Sequence, residues 1–165
     1  MITTSNQTQL GDGLLVCSFI LGGAVFGIDA QEVQEVARVG DIAPVHQSAP
    51  EVVGIRNLRG RIVTVLDLRV CLNLGRVGPS AENRILIVSC QGEPVGLLVD
   101  SVADTVAVEP GGLAPPPPNL HGLQGRTLRG VCRGEDRLVA LLDLETLFGS
   151  DSHAVQTADV ELRNS

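Results

Sequence analysis

The chain has 165 residues, a formal charge of −7 and no lysine, tryptophan or tyrosine, so all 12 of its basic residues are arginine. Hydrophobic residues make up 44% and aromatics only 2%, which implies one folded domain, or two small fused ones, with a core of Val, Leu, Ile and Ala. An acidic chain without stacking faces is unsuited to nucleic acid, and no apolar run reaches the ~18 residues of a membrane span.

Residues 1–13 are polar, with neither a basic nor an apolar leader region, so a flexible N-terminus without a signal peptide is expected, in a cytoplasmic protein. Leu14–Leu21 reads as a first strand, Gly22-Gly23 as a turn and Ala24–Ile28 as the second strand of a hairpin. Asp29 precedes Glu32 with capping-box spacing, which predicts a short helical turn, and Val33–Val39 returns to strand. Pro44 and Pro50 mark residues 40–50 as loop. Gly54–Gly60 reads as a polar, basic loop, with Arg56, Asn57 and Arg59 between two glycines. Ile62–Leu66 is rich in β-branched residues and predicts a strand buried on both faces. Asp67 is placed to cap a helical turn, and Leu68, Cys71 and Leu72 share one face of that turn.

Residues 75–81 read as linker. Arg84–Cys90 and Val95–Val99 are strands around a Gln91–Pro94 turn, and residues 100–106 resemble the turn and strand after Asp29. Residues 108–125 are irregular, and Pro115–Pro118 favours polyproline II, which cannot join a central strand. Leu128–Cys132 and Arg137–Leu142 are strands, Leu144–Phe148 a closing helical turn, and residues 149–165 a flexible acidic tail.

Catalytic, cofactor and metal chemistry find no support. Cys17, Cys71, Cys90 and Cys132 lie far apart without a CxxC pair, as expected of reduced, buried thiols. His46, His121 and His153 lack ligand spacing. Nothing resembles a nucleophile elbow, and neither Gly11-Asp12-Gly13 nor Gly22-Gly23 has the lysine and helix of a phosphate loop. Asp67 and Asp143 have the same capping context, so they read as caps rather than a catalytic pair.

That shared context is part of a repeat. Gly54 and Gly130 are 76 residues apart, and the same offset pairs Arg61 with Arg137, Val63 with Val139, Leu66 with Leu142, Asp67 with Asp143 and Leu68 with Leu144. Gly27-Ile28 is echoed by Gly96-Leu97. The pattern implies a duplicated β-subdomain, roughly residues 14–75 and 82–148, whose copies bury a shared face. Arg56-Asn57-Leu58-Arg59-Gly60 occurs in the first copy alone, which places function there.

Phe26-Gly27-Ile28-Asp29 with Val33-Gln34-Glu35-Val36, then Gly54–Gly60, then Ile62–Arg69, resembles the CheW family of chemotaxis coupling proteins, whose domain also forms the regulatory module of the CheA histidine kinase. Arg84–Val88, Gly96–Val102 and Asp143–Phe148 extend the resemblance over residues 14–148 as a single CheW-like domain. It implies an all-β fold of two packed five-stranded SH3-like barrels, between which segments can be exchanged, with a few short helical turns. It also implies a non-catalytic adaptor without cofactors or direct membrane insertion. Such an adaptor couples the cytoplasmic tip of a methyl-accepting chemoreceptor to a CheA-type kinase regulatory domain, at receptor arrays beneath the inner membrane. By position, Val33, Glu35, Gly54 and Arg59 are the implied receptor-binding residues, with Arg56 and Asn57 as loop support. Val33 and Glu35 would face the receptor, Gly54 would keep the groove shallow for a receptor helix, and Arg59 would bond the receptor or brace its own loop. His46-Gln47 and Leu113-Ala114 depart from the family pattern. The alternatives are a scaffold of a specialised array, serving twitching motility or second-messenger control, and an unrelated small-barrel enzyme or ligand-binding module.

Overall fold

The computed structural model describes residues 13–116 and 126–149. The expectations for residues 1–12, 117–125 and 150–165, including His121, His153, Pro117 and Pro118, lie outside the described residues. The strands are β1 (Leu14–Leu21), β2 (Ala24–Asp29), β3 (Val33–Arg38), β4 (Val52–Leu58), β5 (Arg61–Asp67), β6 (Arg84–Cys90), β7 (Glu93–Val99), β8 (Ser101–Val108), β9 (Leu128–Arg133) and β10 (Leu138–Leu142). A 3-10 turn (Ala30–Glu32) and two short helices, α1 (Leu68–Cys71) and α2 (Leu144–Gly149), complete the described elements.

Three expectations need correction. Glu93 and Pro94 open β7 rather than close a turn, and Pro94 stands opposite Ser89 in the ladder. Gly54–Leu58 is strand, not loop: β4 pairs with β5 from Val52 to Leu58, and only Arg59-Gly60 turns. Arg56 lies on this edge strand, where a charged side chain reaches solvent without leaving the ladder. Ile62 is 48% exposed, so the doubly buried run begins at Val63.

The strands form two five-stranded sheets, ordered β8-β1-β2-β10-β9 and β3-β6-β7-β5-β4. The sheets divide the chain differently from a split into residues 14–75 and 82–148. The β1–β2 hairpin joins β8, β9 and β10, whereas β6–β7 joins β3, β4 and β5. The two sequence repeats have thus exchanged their first hairpins. In each sheet one parallel contact joins the exchanged hairpin to the host repeat, Leu141 opposite Gly27 and Val65 opposite Gly96.

Each sheet closes on itself through one bridge. Ala43 exchanges two backbone hydrogen bonds of 2.8 Å with Ile55, and Ala114 does the same with Val131. These bridges tie the segment after one edge strand to the opposite edge, making each sheet a small barrel. Gly54 and Gly130 lie beside them. A Cβ on Gly54 would overlap the Ala43 carbonyl oxygen and stand 2.8 Å from Ile42 Cγ2; one on Gly130 would overlap the Ala114 carbonyl and stand 2.8 Å from Leu113 Cγ.

Strand alternation distributes the core over three clusters. Ile85 and Ile87 point into the second barrel with Val63, Val65 and Leu98, while Leu86 and Val88 point the other way. Val16, Val108, Cys132, Val139 and Leu141 fill the first barrel. Between the barrels lies the largest cluster, in which Phe19, Leu21, Ile28 and Leu142 meet Leu66, Leu86, Val95 and Leu97, with Leu68, Leu72, Leu147 and Phe148 from the helices. Strands packed on both faces account for the continuous apolar runs, and the narrow barrels for the aliphatic composition.

The two aspartates cap their helices unequally. Asp67 is buried and accepts the N–H groups of Arg69 at 3.0 Å and Val70 at 3.3 Å through Oδ1, and that of Val77 at 2.9 Å through Oδ2. Asp143 caps its own helix, accepting the N–H groups of Glu145 at 3.1 Å and Thr146 at 3.3 Å and the Thr146 hydroxyl at 3.0 Å. Asp67→Ala should therefore cost ~2–4 kcal/mol, a lost cap plus a stranded loop N–H, and Asp143→Ala ~1 kcal/mol. Urea unfolding of the two variants checks the difference; equal losses would show that the Val77 bond contributes nothing.

Candidate functional site

Edge strands β3 and β4 meet where the second barrel closes, and most of the residues implicated by sequence lie along this seam. At one end an Arg59 Nη1–Glu35 Oε1 ion pair crosses it. In the middle Arg56 Nη1 donates to the Arg38 carbonyl at 2.6 Å. The Arg56 guanidinium lies against Gly40, where a Cβ would come within 2.8 Å of it. Farther along is the Ala43–Ile55 bridge, with buried Gly54 behind it. Arg56 and Arg59 thus both reach from β4 and its turn to the β3 side.

The turn that presents Arg59 is tightly specified. Arg59 and Gly60 have φ of 55° and 84°, positive at both central positions as in a type I′ hairpin turn. Asn57 Oδ1 accepts the Gly60 N–H at 2.9 Å. A positive φ at arginine costs ~1 kcal/mol, which the Asn57 bond helps offset. The Arg59 side chain remains 75% exposed while Glu35 is 24% exposed. One face of the guanidinium is therefore held and the rest is presented to solvent.

Val33 behaves differently from Glu35. A bulge between them breaks the alternation, so Val33 sits opposite Val88 and Glu35 opposite Ile87. Val88 belongs to the cluster between barrels and Ile87 to the interior of the second. The bulge sends Val33 and Glu35 to opposite faces of β3, and Val33 packs against the inter-barrel core. Sequence reasoning missed the Arg38 carbonyl, Gly40 and Ala43, backbone participants whose side-chain identities carry no signal.

Among the described residues no group of three or more His, Cys, Asp or Glu side chains could hold a metal ion. No helix of the described residues is long and apolar enough to cross a membrane. The four cysteines are free. Burial, followed by the nearby Glu51 and Asp67 charges, pushes the Cys71 thiol up to about 12. The nucleophilic thiolate is therefore scarce until pH approaches 12. Cys71 should resist thiol reagents in the folded protein at pH 8 and react once urea unfolds it. Equal labelling in both states, read by peptide mass spectrometry, would contradict this.

A family profile described as a CheW-like domain matches residues 15–152. The chain belongs to the CheW family. It is 29% identical over 138 residues to a probable chemotaxis protein CheW of Rhizobium etli, covering 84% of this chain and 88% of that one. It is 32% identical over 139 residues to the chemotaxis protein CheW of Klebsiella aerogenes, covering 83% and 82%. The crystal structure of the scaffolding protein TtCheW from Thermoanaerobacter tengcongensis superposes with a TM-score of 0.74 at 30% identity, covering 82% of this chain and 87% of that one. This CheW-family chain is accordingly a non-catalytic adaptor of chemotaxis signal transduction, and its two packed five-stranded sheets are the architecture of its family.

Proposed function

We propose that this chain couples the cytoplasmic tip of a methyl-accepting chemoreceptor to the regulatory domain of a CheA-type histidine kinase, in the cytoplasm at arrays beneath the inner membrane. The observation that supports the reading most directly is the exposed Arg59, braced by Glu35 at the end of the second-barrel seam. Its counterpart 76 residues later is Glu135, in an Asp- and Glu-bearing turn, so a basic tip belongs to one barrel only. A partner reading that tip distinguishes two otherwise similar barrels, which a scaffold with two different clients requires.

In this reading the receptor presents an amphipathic helix. Arg59 bonds a receptor carboxylate or carbonyl through its free N–H groups. Glu35 orients it, Gly54 keeps the backbone low, and Val33 supports the surface from the core side. Arg56 and Asn57 hold the strand and turn in place. The kinase regulatory domain takes a separate surface, so both partners are held at once. Calorimetric titration of the chain with an isolated CheA-type regulatory domain and with a receptor signalling-tip fragment tests this. Binding to both, singly and together, is expected. Binding to neither, or mutually exclusive binding, would refute it.

A further inference from the structure

The two barrels are built in the same register, yet their seams are fastened unequally. An offset of 69 residues carries the β3–β6 ladder onto the β8–β1 ladder. Val33 opposite Val88 becomes Val102 opposite Phe19, and Ala37 opposite Ile85 becomes Val106 opposite Val16, with a bulge at the same place. An offset of 76 carries β4–β5 onto β9–β10, and Ile55 of one closing bridge onto Val131 of the other. Each residue at the seam of the second barrel therefore has a structural counterpart in the first.

Those counterparts lack the side-chain fastenings. Glu35 and Arg59, which pair across the second seam, become Asp104 and Glu135, two carboxylates. Among the described residues neither of these forms an ion pair. Arg56, which donates to the Arg38 carbonyl, becomes Cys132, a buried side chain too short to cross. The turns differ as well. Neither Glu135 nor Asp136 has a positive φ, unlike Arg59 and Gly60, so the β9–β10 hairpin lacks the type I′ turn whose twist matches its strands. Side chains shrink at the same level: Ile87 becomes Ser18, and Leu58 becomes Gly134. The first barrel consequently has an opening of about 450 Å³ at its seam, lined by Ser18, Asp104, Gly134, Glu135 and Val139. Arg137, also at this opening, donates to the Gly23 carbonyl on the β2 side and does not span it.

We infer that the first barrel opens at this seam, by separation of β8 from the β9–β10 hairpin, while the second barrel stays closed. The free energy of a local opening is set by the interactions it breaks. In the second barrel, opening breaks the Arg59–Glu35 pair and the Arg56 bond in addition to the Ala43–Ile55 bridge. In the first, the Ala114–Val131 bridge is broken without either, and two like charges move apart. The chain is thereby a scaffold with one rigid barrel and one that opens. The residues assigned to receptor binding enter only as the structural comparison, so the inference stands whether or not the coupling reading does.

The test is amide hydrogen exchange of the full chain, followed by NMR at urea concentrations below the unfolding transition. The amides of Ala43, Ile55, Ala114 and Val131 are the reporters, because all four donate across a bridge at the same 2.8 Å. Protection at Ala114 and Val131 is expected to be at least about tenfold lower than at Ala43 and Ile55. A triple variant, Asp104→Glu with Glu135→Arg and Asp136→Gly, copies the second seam onto exposed positions of the first. It should raise protection at Ala114 and Val131 severalfold and leave Ala43 and Ile55 unchanged. Arg56→Met, which keeps an unbranched apolar stem but removes the donor, should lower protection at Ala43 and Ile55 alone. Equal protection of the two bridges in the parent would overturn the inference. So would unequal protection that neither variant narrows, because the seam residues would then not be its cause.

Discussion

Gly54→Ala is expected to destabilise the protein by ~3–5 kcal/mol, combining an overpacking clash with the strain of a side chain at an unfavourable backbone angle. The φ at Gly54 is 155° and the new methyl group would overlap the Ala43 carbonyl oxygen, which accepts the bridge from the Ile55 N–H. Relief requires the bridge to open, and with it the barrel. For a chain of this size the loss corresponds to a fall in Tm of roughly 10 °C. Gly130→Ala should also destabilise, because the Ala114 carbonyl occupies the equivalent position. Thermal and urea unfolding check both. A Gly54→Ala protein as stable as the parent but deficient in receptor binding would instead give Gly54 the role of a contact surface.

Arg59→Ala should have the opposite profile. Receptor-tip affinity is expected to fall at least about tenfold, the scale of one lost charge-assisted hydrogen bond. Stability should change by less than ~1 kcal/mol, because the ion pair with Glu35 is largely solvated. Kinase binding should be unchanged. Reversing both partners, Glu35→Arg with Arg59→Glu, separates the alternatives. It restores a pair across the seam but inverts the charge presented to solvent, so stability should recover while receptor binding does not. Recovery of both would make the pair a brace with no direct contact. Combined replacement of Val33 and Glu35 by alanine should reduce receptor binding more than kinase binding, with a modest loss of stability from Val33, which packs on the inter-barrel core.

Much of the architecture was legible locally. β1 and β6 match their sequence predictions at both ends, and β2 closely, because apolar alternation and the Gly turns carry their own signal. Both aspartate caps were legible because capping uses atoms within three residues. β4 was hidden by its polar content. Its strand character depends on pairing with β5 and closing against the β3 side, and neither interaction is visible in Arg56-Asn57. Ile62 was misplaced because β-propensity reports strand but not position along a barrel, and this residue lies next to the turn. At the site, Glu35 and Arg59 could be named from sequence, but their pairing could not, since 24 residues separate them. The bulge that separates Val33 from Glu35 was equally invisible, because inserting one residue into a ladder leaves no compositional trace.

Every described strand except β4, together with the caps, the repeat and the family resemblance, was written in short-range periodicity or residue order. The exchange of hairpins between the repeats, and the place of Gly54 and Gly130 beside the bridges that close the barrels, rest on tertiary contacts alone. A hairpin presents the same edge and the same apolar faces to either repeat. Which host it joins depends on contacts between residues far apart in the chain, and local propensity is silent about those.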